Sequence, residues 1–207
     1  MVESQVRPAD VTDRRILRAM LALPRERFVA PTQAPLAYMD KDIEVGPGRY
    51  LMNARVLAKL VQLAGVEAED RVLEIGAGTG YSTALLAALA KDVVAVEPDG
   101  MLAGKARAIL AELKIGNAGI IEAPLQQGAP EDGPYDVVFV SGQVAEFPQH
   151  FGEMLAPDGR LVVVVGAAGA GKACLYRKLA SGVTGRIAFD ASLPILPEFE
   201  RAKTFVF

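Results

Sequence analysis

The sequence predicts an α/β fold, a doubly wound and mostly parallel sheet preceded by a helical N-terminal extension. Three observations predict it. From Arg71 onward short apolar runs alternate with segments of helical period; a glycine loop, Gly76-Ala-Gly-Thr-Gly80, closes the first run; and a second run, Asp92-Val-Val-Ala-Val-Glu97, ends in an acid nineteen positions after Gly78. Such alternation implies parallel strands covered on both faces, with loop and acid meeting at the carboxyl ends of the strands.

Each element has its own warrant. Residues 11–23 place Ile16, Leu17, Met20 and Leu21 at helical spacing, with Asp10 or Thr12 able to cap the start. Residues 24–38 are proline-rich and irregular, and Ile43-Glu-Val-Gly-Pro-Gly48 reads as a loop able to approach a ligand. A helix follows over about 51–64, with Leu57, Leu60, Val61 and Ala64 on one face. The core then reads as strand 71–75, helix 80–90, strand 92–97, helix 99–114, strands 118–122 and 135–140, helix 147–155 and strand 160–165. Residues 175–179 and 204–207 read as further strands, with Pro194 and Pro197 confining the stretch between them to loop or edge. The 207 residues suit one domain, comprising a helical and loop region (1–65) and an α/β core (66–207).

Composition narrows the function classes. Half the chain is hydrophobic (51%), and a net charge of −3 exerts no general pull on nucleic acid or anionic membrane, so neither is expected as a partner. The single cysteine, Cys174, excludes an intrachain disulfide and a thiol metal cluster and reads as a small core residue; no metal site is expected. The N-terminus lacks an apolar signal core and no run approaches the ~18 apolar residues of a membrane span, so a cytoplasmic location is expected. Gly166-Ala-Ala-Gly-Ala-Gly-Lys172-Ala173 imitates a phosphate loop but lacks the final hydroxyl that would hold magnesium, and reads as a glycine hairpin. His150, the only histidine, has no partners for a triad or metal site and reads as a surface or helix-end residue.

The glycine loop carries the chemistry. Glycines at 76, 78 and 80 let the backbone turn sharply and let a ligand lie against main-chain atoms, while the helix beginning near Gly80 points free N–H groups at the loop. A dinucleotide fingerprint would need glycine at 81, where Tyr81 stands. Glu97 can accept hydrogen bonds from both ribose hydroxyls, and Glu74 would favour the cationic methionyl end of S-adenosylmethionine over a pyrophosphate. S-adenosylmethionine is therefore the expected cofactor, with a dinucleotide and a ligand-free turn as the alternatives. Transfer of a methyl group from a sulfonium depends heavily on positioning, and a carboxylate acceptor is already ionised at neutral pH. The scarcity of acid and base residues is thus compatible with carboxyl methylation.

Several stretches resemble the protein-L-isoaspartate O-methyltransferase family. They are Val2-Glu-Ser-Gln-Val-Arg7, Val11-Thr-Asp13, Pro24-Arg-Glu-Arg-Phe-Val29, Ala37-Tyr38-Met-Asp40, Val72 to Tyr81, Pro134-Tyr-Asp-Val-Val-Phe-Val140 and Leu155-Ala-Pro-Asp-Gly-Arg-Leu-Val-Val163. The resemblance implies a Rossmann-like class I methyltransferase with a seven-stranded type of sheet, acting on isoaspartyl carboxylates of a peptide or protein substrate. Its cofactor positions fall on Glu74, Gly76, Ala77, Gly78, Thr79, Gly80, Tyr81, Glu97, Pro98, Glu122 and Ala123.

Two departures stand out. The family's substrate loop reads roughly Gly-x-Gly-Gln-Thr-Ile-Ser, its serine implicated in catalysis; here Gly46-Pro-Gly48 is followed by Arg49, Tyr50, Leu51 and Met52. Met52 takes the place of the serine and Tyr50 that of the threonine, which changes both hydrogen bonding and volume, while Arg49 could hold an anionic acceptor. The family's Gly-Asp-Gly near the adenine is replaced by Ala123-Pro124-Leu125, leaving Glu122 or main-chain atoms to hold the base. A different acceptor, or cofactor-dependent binding without catalysis, are the competing expectations.

Overall fold

The computed structural model describes residues 1–200; the strand expected at 204–207 lies outside them. A short helical stretch, Val2–Val6, leads to α1 (Arg14–Ala22). The cap of α1 is Asp13, whose side chain accepts the Arg15 N–H at 2.8 Å, because Asp13 has the extended backbone a cap needs and Asp10 is left-handed. The expected loop at 43–48 is instead a hairpin, β1 (Ile43–Gly46) and β2 (Arg49–Leu51), with Pro47 and a left-handed Gly48 in its turn. Asn53 then caps α2 (Ala54–Ala64), accepting the Val56 N–H at 2.9 Å, and Gly65 ends it in the left-handed conformation.

The core follows as β3 (Arg71–Ile75), α3 (Tyr81–Ala87), β4 (Asp92–Val96), α4 (Gly100–Glu112), β5 (Ala118–Ile121), β6 (Tyr135–Val144), β7 (Leu155–Ala167), β8 (Ala170–Leu179) and β9 (Gly182–Asp190). They form one seven-stranded sheet ordered β5-β4-β3-β6-β7-β8-β9, parallel from β5 to β7 and antiparallel in the last two pairings. Central β3 sets Ile75 opposite Val96 on one side and Val140 on the other. The residues that follow those three, Gly76, Glu97 and Ser141, therefore share one rim of the sheet, where ligands of open parallel sheets bind.

Both faces of the sheet are covered, but unequally. All four α-helices pack in one cluster with the alternate strand residues Val72, Val93, Val137, Phe139 and Val162. The opposite face, carrying Leu73, Ile75, Val138 and Val163, is covered by Leu125, Ala129, Phe151 and Leu196 from irregular segments. The expected helix at 147–155 shrinks to a single turn, Gln149–Gly152, because Pro148 and Gly152 bracket it and leave no length for a helix to propagate.

The phosphate-loop imitation is the tight turn between β7 and β8, and its Lys172 donates to Asp190 at 2.5 Å across β8 and β9. Cys174 is a buried residue of β8, and burial pushes its thiol pKa up. His150 is exposed, its Nε2 2.8 Å from the Gln126 carbonyl oxygen. Among the described residues no helix is long and apolar enough to cross a membrane, and no group of three or more His, Cys, Asp and Glu is placed to hold a metal ion.

Candidate cofactor and acceptor site

The glycine loop is held by the strand beside it and by the N-terminal extension. The N–H groups of Gly76 and Ala77 both donate to Val96 O, at 2.9 and 3.1 Å, and Thr79 Oγ1 donates to Phe28 O at 2.6 Å. Gly80, at φ +91, starts α3, and a Cβ there would lie 3.1 Å from the Ala106 Cβ of α4, so glycine is what lets the two helices approach. A Cβ on Gly78 would meet nothing within 4 Å, so the loop is open at that point. Tyr81 is buried against Phe28, ring edge to ring face, with centroids 5.2 Å apart.

Glu97 is wholly buried where β4 ends. Its Oε2 accepts the Gly78 N–H at 2.6 Å and its Oε1 the Asp99 N–H at 3.3 Å. Oε2 also accepts from Arg49 Nη2 at 2.6 Å, so the hairpin arginine expected to meet an acceptor is paired with the expected ribose acid. An acid at the end of this strand beside an open glycine loop fits the ribose of an adenosyl group.

Glu74 lies beneath the rim, fully buried, with donors on both oxygens: Thr83 at 2.5 Å, Ser141 at 2.5 Å and the Ser82 hydroxyl. Burial raises its pKa against the pull of those hydroxyls. Both its oxygens are thus committed within the fold, which differs from an acid free to face a methionyl amine. Glu122 sits exposed past β5 and pairs with Arg107 at 2.5 Å; Ala123 is half-buried beside it and Pro98 is exposed at the end of β4. These three follow the ends of β4 and β5 along the rim.

On the other side of the glycine loop lie two adjoining cavities. One is lined by Leu51, Leu57, Gly76, Thr79 and Tyr81 among others; the second by Asp42, Gly48, Leu193, Pro194 and Leu196 among others. Tyr50, Met52 and Ser141 line both. Met52 is buried and Tyr50 partly exposed, so the thioether forms the inner wall and the phenol the outer one. Asp42 is half-buried, and desolvation raises its pKa although its Oδ1 accepts the Asn53 N–H at 2.7 Å.

Three contributors escape sequence reasoning. Arg25 is fully buried, donating to Ala37 O at 2.6 Å and to Met52 O at 2.5 Å, so it fixes the wall that Met52 forms. Gln143 ties the C-terminal segment to the sheet: its backbone bonds to residues 194 and 196, its Oε1 accepts the Leu193 N–H at 3.0 Å, and its Nε2 donates to Gly166 and Ala167. That tie makes residues 193–196 a wall of the second cavity. Ser141 brings a hydroxyl to both cavities. For Gln143 the available signal was a polar side chain between apolar residues, where burial demands hydrogen-bond partners; Arg25, followed by Glu26 and Arg27, gave none.

Comparison with known proteins places the chain among relatives of one family. Residues 1–189 match the family model of protein-L-isoaspartate(D-aspartate) O-methyltransferase (PCMT). The chain is 36% identical over 167 residues to a protein-L-isoaspartate O-methyltransferase of Koribacter versatilis, covering 81% of this chain and 75% of that one. It is 40% identical over 166 residues to the protein of the same name from Methanoregula boonei, covering 80% and 76% respectively. A solved protein-L-isoaspartate O-methyltransferase superposes with a TM-score of 0.79 at 27% identity over 91% of this chain, which spans 62% of that protein's length. A Plasmodium falciparum structure, described as a protein-L-isoaspartate O-methyltransferase in complex with S-adenosyl-L-homocysteine, shares the fold with a TM-score of 0.78 at 19% identity, covering 93% of this chain and 94% of that one.

Proposed function

The chain belongs to the protein-L-isoaspartate(D-aspartate) O-methyltransferase family, and on that premise we propose that it methylates the free carboxylate of isoaspartyl residues in damaged proteins. It is an S-adenosylmethionine-dependent O-methyltransferase, and its substrates are proteins. Bound at the rim, S-adenosylmethionine supplies an electrophilic methyl group on a sulfonium. The observation that carries the site assignment is the buried Glu97 carboxylate hydrogen-bonded to the Gly78 N–H of the glycine loop.

In this reading Glu97 holds the ribose, residues 76–80 accommodate the methionyl end, and Pro98, Glu122 and Ala123 border the adenine. Tyr81 backs the loop from beneath. Glu74, through its bonds to Ser82, Thr83 and Ser141, braces the floor between cofactor and acceptor. Tyr50, Leu51 and Met52 form the acceptor wall. An isoaspartyl carboxylate arrives ionised, so these residues have to align and desolvate it rather than remove a proton. Alignment of that kind supplies up to about 7–11 kcal/mol of a displacement barrier. A cytoplasmic location belongs to the same proposal and is supported by the unpaired Cys174.

One observation favours a second reading, in which the acceptor differs. Met52 carries no hydroxyl where the family's serine stands, and the hydroxyls at the wall shared by the two cavities come from Tyr50 and Ser141. Both readings meet the same test, S-adenosylhomocysteine release with an isoaspartyl peptide and with its normal aspartyl counterpart. Turnover on the isoaspartyl peptide alone is expected. Silence on both, with cofactor binding intact, would transfer the case to another acceptor.

A further inference from the structure

The pairing of Arg49 with Glu97 has no use in the reaction just described, yet it lies at the centre of the cofactor site. Arg49 Nη2 donates to the same Glu97 oxygen that accepts the Gly78 N–H, both at 2.6 Å, which commits both lone pairs of that atom. The guanidinium also fills the space the glycine loop opens: a Cβ on Gly76 would lie 2.9 Å from Nη2 and 3.5 Å from Nη1. Its remaining donors fare poorly, because Nε and Nη1 are buried with no hydrogen-bond partner. A buried ion pair is held firmly only when its other protons are bonded too, so this one is built to be exchanged.

We propose that Arg49 is a competing ligand of Glu97, its guanidinium and the cofactor's ribose excluding one another at that carboxylate. The inference rests on the reading of Glu97 as the ribose acid. Cofactor entry then expels Arg49 and loosens the hairpin formed by β1 and β2, whose last strand also carries Tyr50 and Leu51 of the acceptor wall. Arg49 thereby sets the apparent cofactor affinity, which falls in proportion to the fraction of molecules whose Glu97 is released.

Calorimetric titration of S-adenosylhomocysteine into the wild type, Arg49→Ala and Arg49→Met tests the proposal. Tightening by tenfold or more in either variant is the expected result, and a residue with a merely structural role would not produce it. Equal or weaker binding in both variants, with the wild type binding, overturns the competition and leaves Glu97 as the ribose acid. Absence of binding in all three proteins overturns the ribose reading itself and the inference with it. Hydrogen exchange on the wild type decides the matter without a variant: saturating S-adenosylhomocysteine should slow exchange at 76–80 and speed it at 43–51. Unchanged or slower exchange at 43–51 overturns the proposal.

Discussion

Replacing Arg25 by methionine tests how the acceptor wall is held. The guanidinium is fully buried, and burial pushes its pKa down. It donates from Nε to Ala37 O at 2.6 Å and from Nη2 to Met52 O at 2.5 Å, and it lies 4.7 Å from the centroid of the Tyr81 ring. Methionine preserves the stem, so the loss is chiefly polar. Two buried carbonyls lose their donors at about 1–3 kcal/mol each, and the contact with Tyr81 adds about 0.5–2 kcal/mol. Offsetting this, a charge and the unpartnered Nη1 leave a low-dielectric interior. The net expectation is a destabilisation of about 2–4 kcal/mol, read as a lower urea midpoint at unchanged m. Because the orphaned Met52 carbonyl frees the wall, KM for an isoaspartyl peptide should rise several-fold while S-adenosylhomocysteine affinity stays within about twofold. A stability loss below about 1 kcal/mol with KM unchanged would refute the assignment of Arg25 as the brace of that wall.

Two further changes probe the floor and the glycine loop. Burial raises the Glu74 pKa above its ordinary 4.5, and such a group contributes stability that is complete below the unfolded pKa and lost as pH rises through the folded one. Denaturation curves of the wild type and Glu74→Gln should therefore diverge above about pH 4.5, the wild type losing ground, and a difference independent of pH would count against this account. Gly80→Ala places a side chain at φ +91 and 3.1 Å from Ala106, so it should cost about 1–3 kcal/mol in thermal or chemical unfolding and weaken S-adenosylhomocysteine binding. No loss in either measurement would show that α3 and α4 can separate freely.

The parallel core was legible because its strands are short, largely apolar runs, the first two of which end at Gly76 and Glu97. The same habit of reading misled at 147–155, where apolar residues at helical spacing fill one turn of a loop and Phe151 serves as a plug on the far face of the sheet. Hydrophobic spacing registers burial, and an irregular segment bracketed by Pro148 and Gly152 can bury the same residues. The hairpin at 43–51 was hidden for the opposite reason, since its strands are too short to show an alternation. The positions of Glu97 and the glycine loop followed from local pattern. The pairing of Arg49 with Glu97, 48 residues apart, the bond from Arg25 to Met52 and the docking of residues 193–196 on Gln143 are tertiary events that leave no local pattern.

The bond from Thr79 to the Phe28 carbonyl means that the cofactor loop and the N-terminal extension report on each other. A domain is usually trimmed by removing what precedes its first core strand, and here that cut would take away a wall of the loop's own housing. Binding at the rim and folding of the first 65 residues draw on common contacts, the Thr79 bond and the Phe28 ring against Tyr81. Sequence drift around Phe28, far from any reacting atom, is therefore felt in the loop that borders the cofactor.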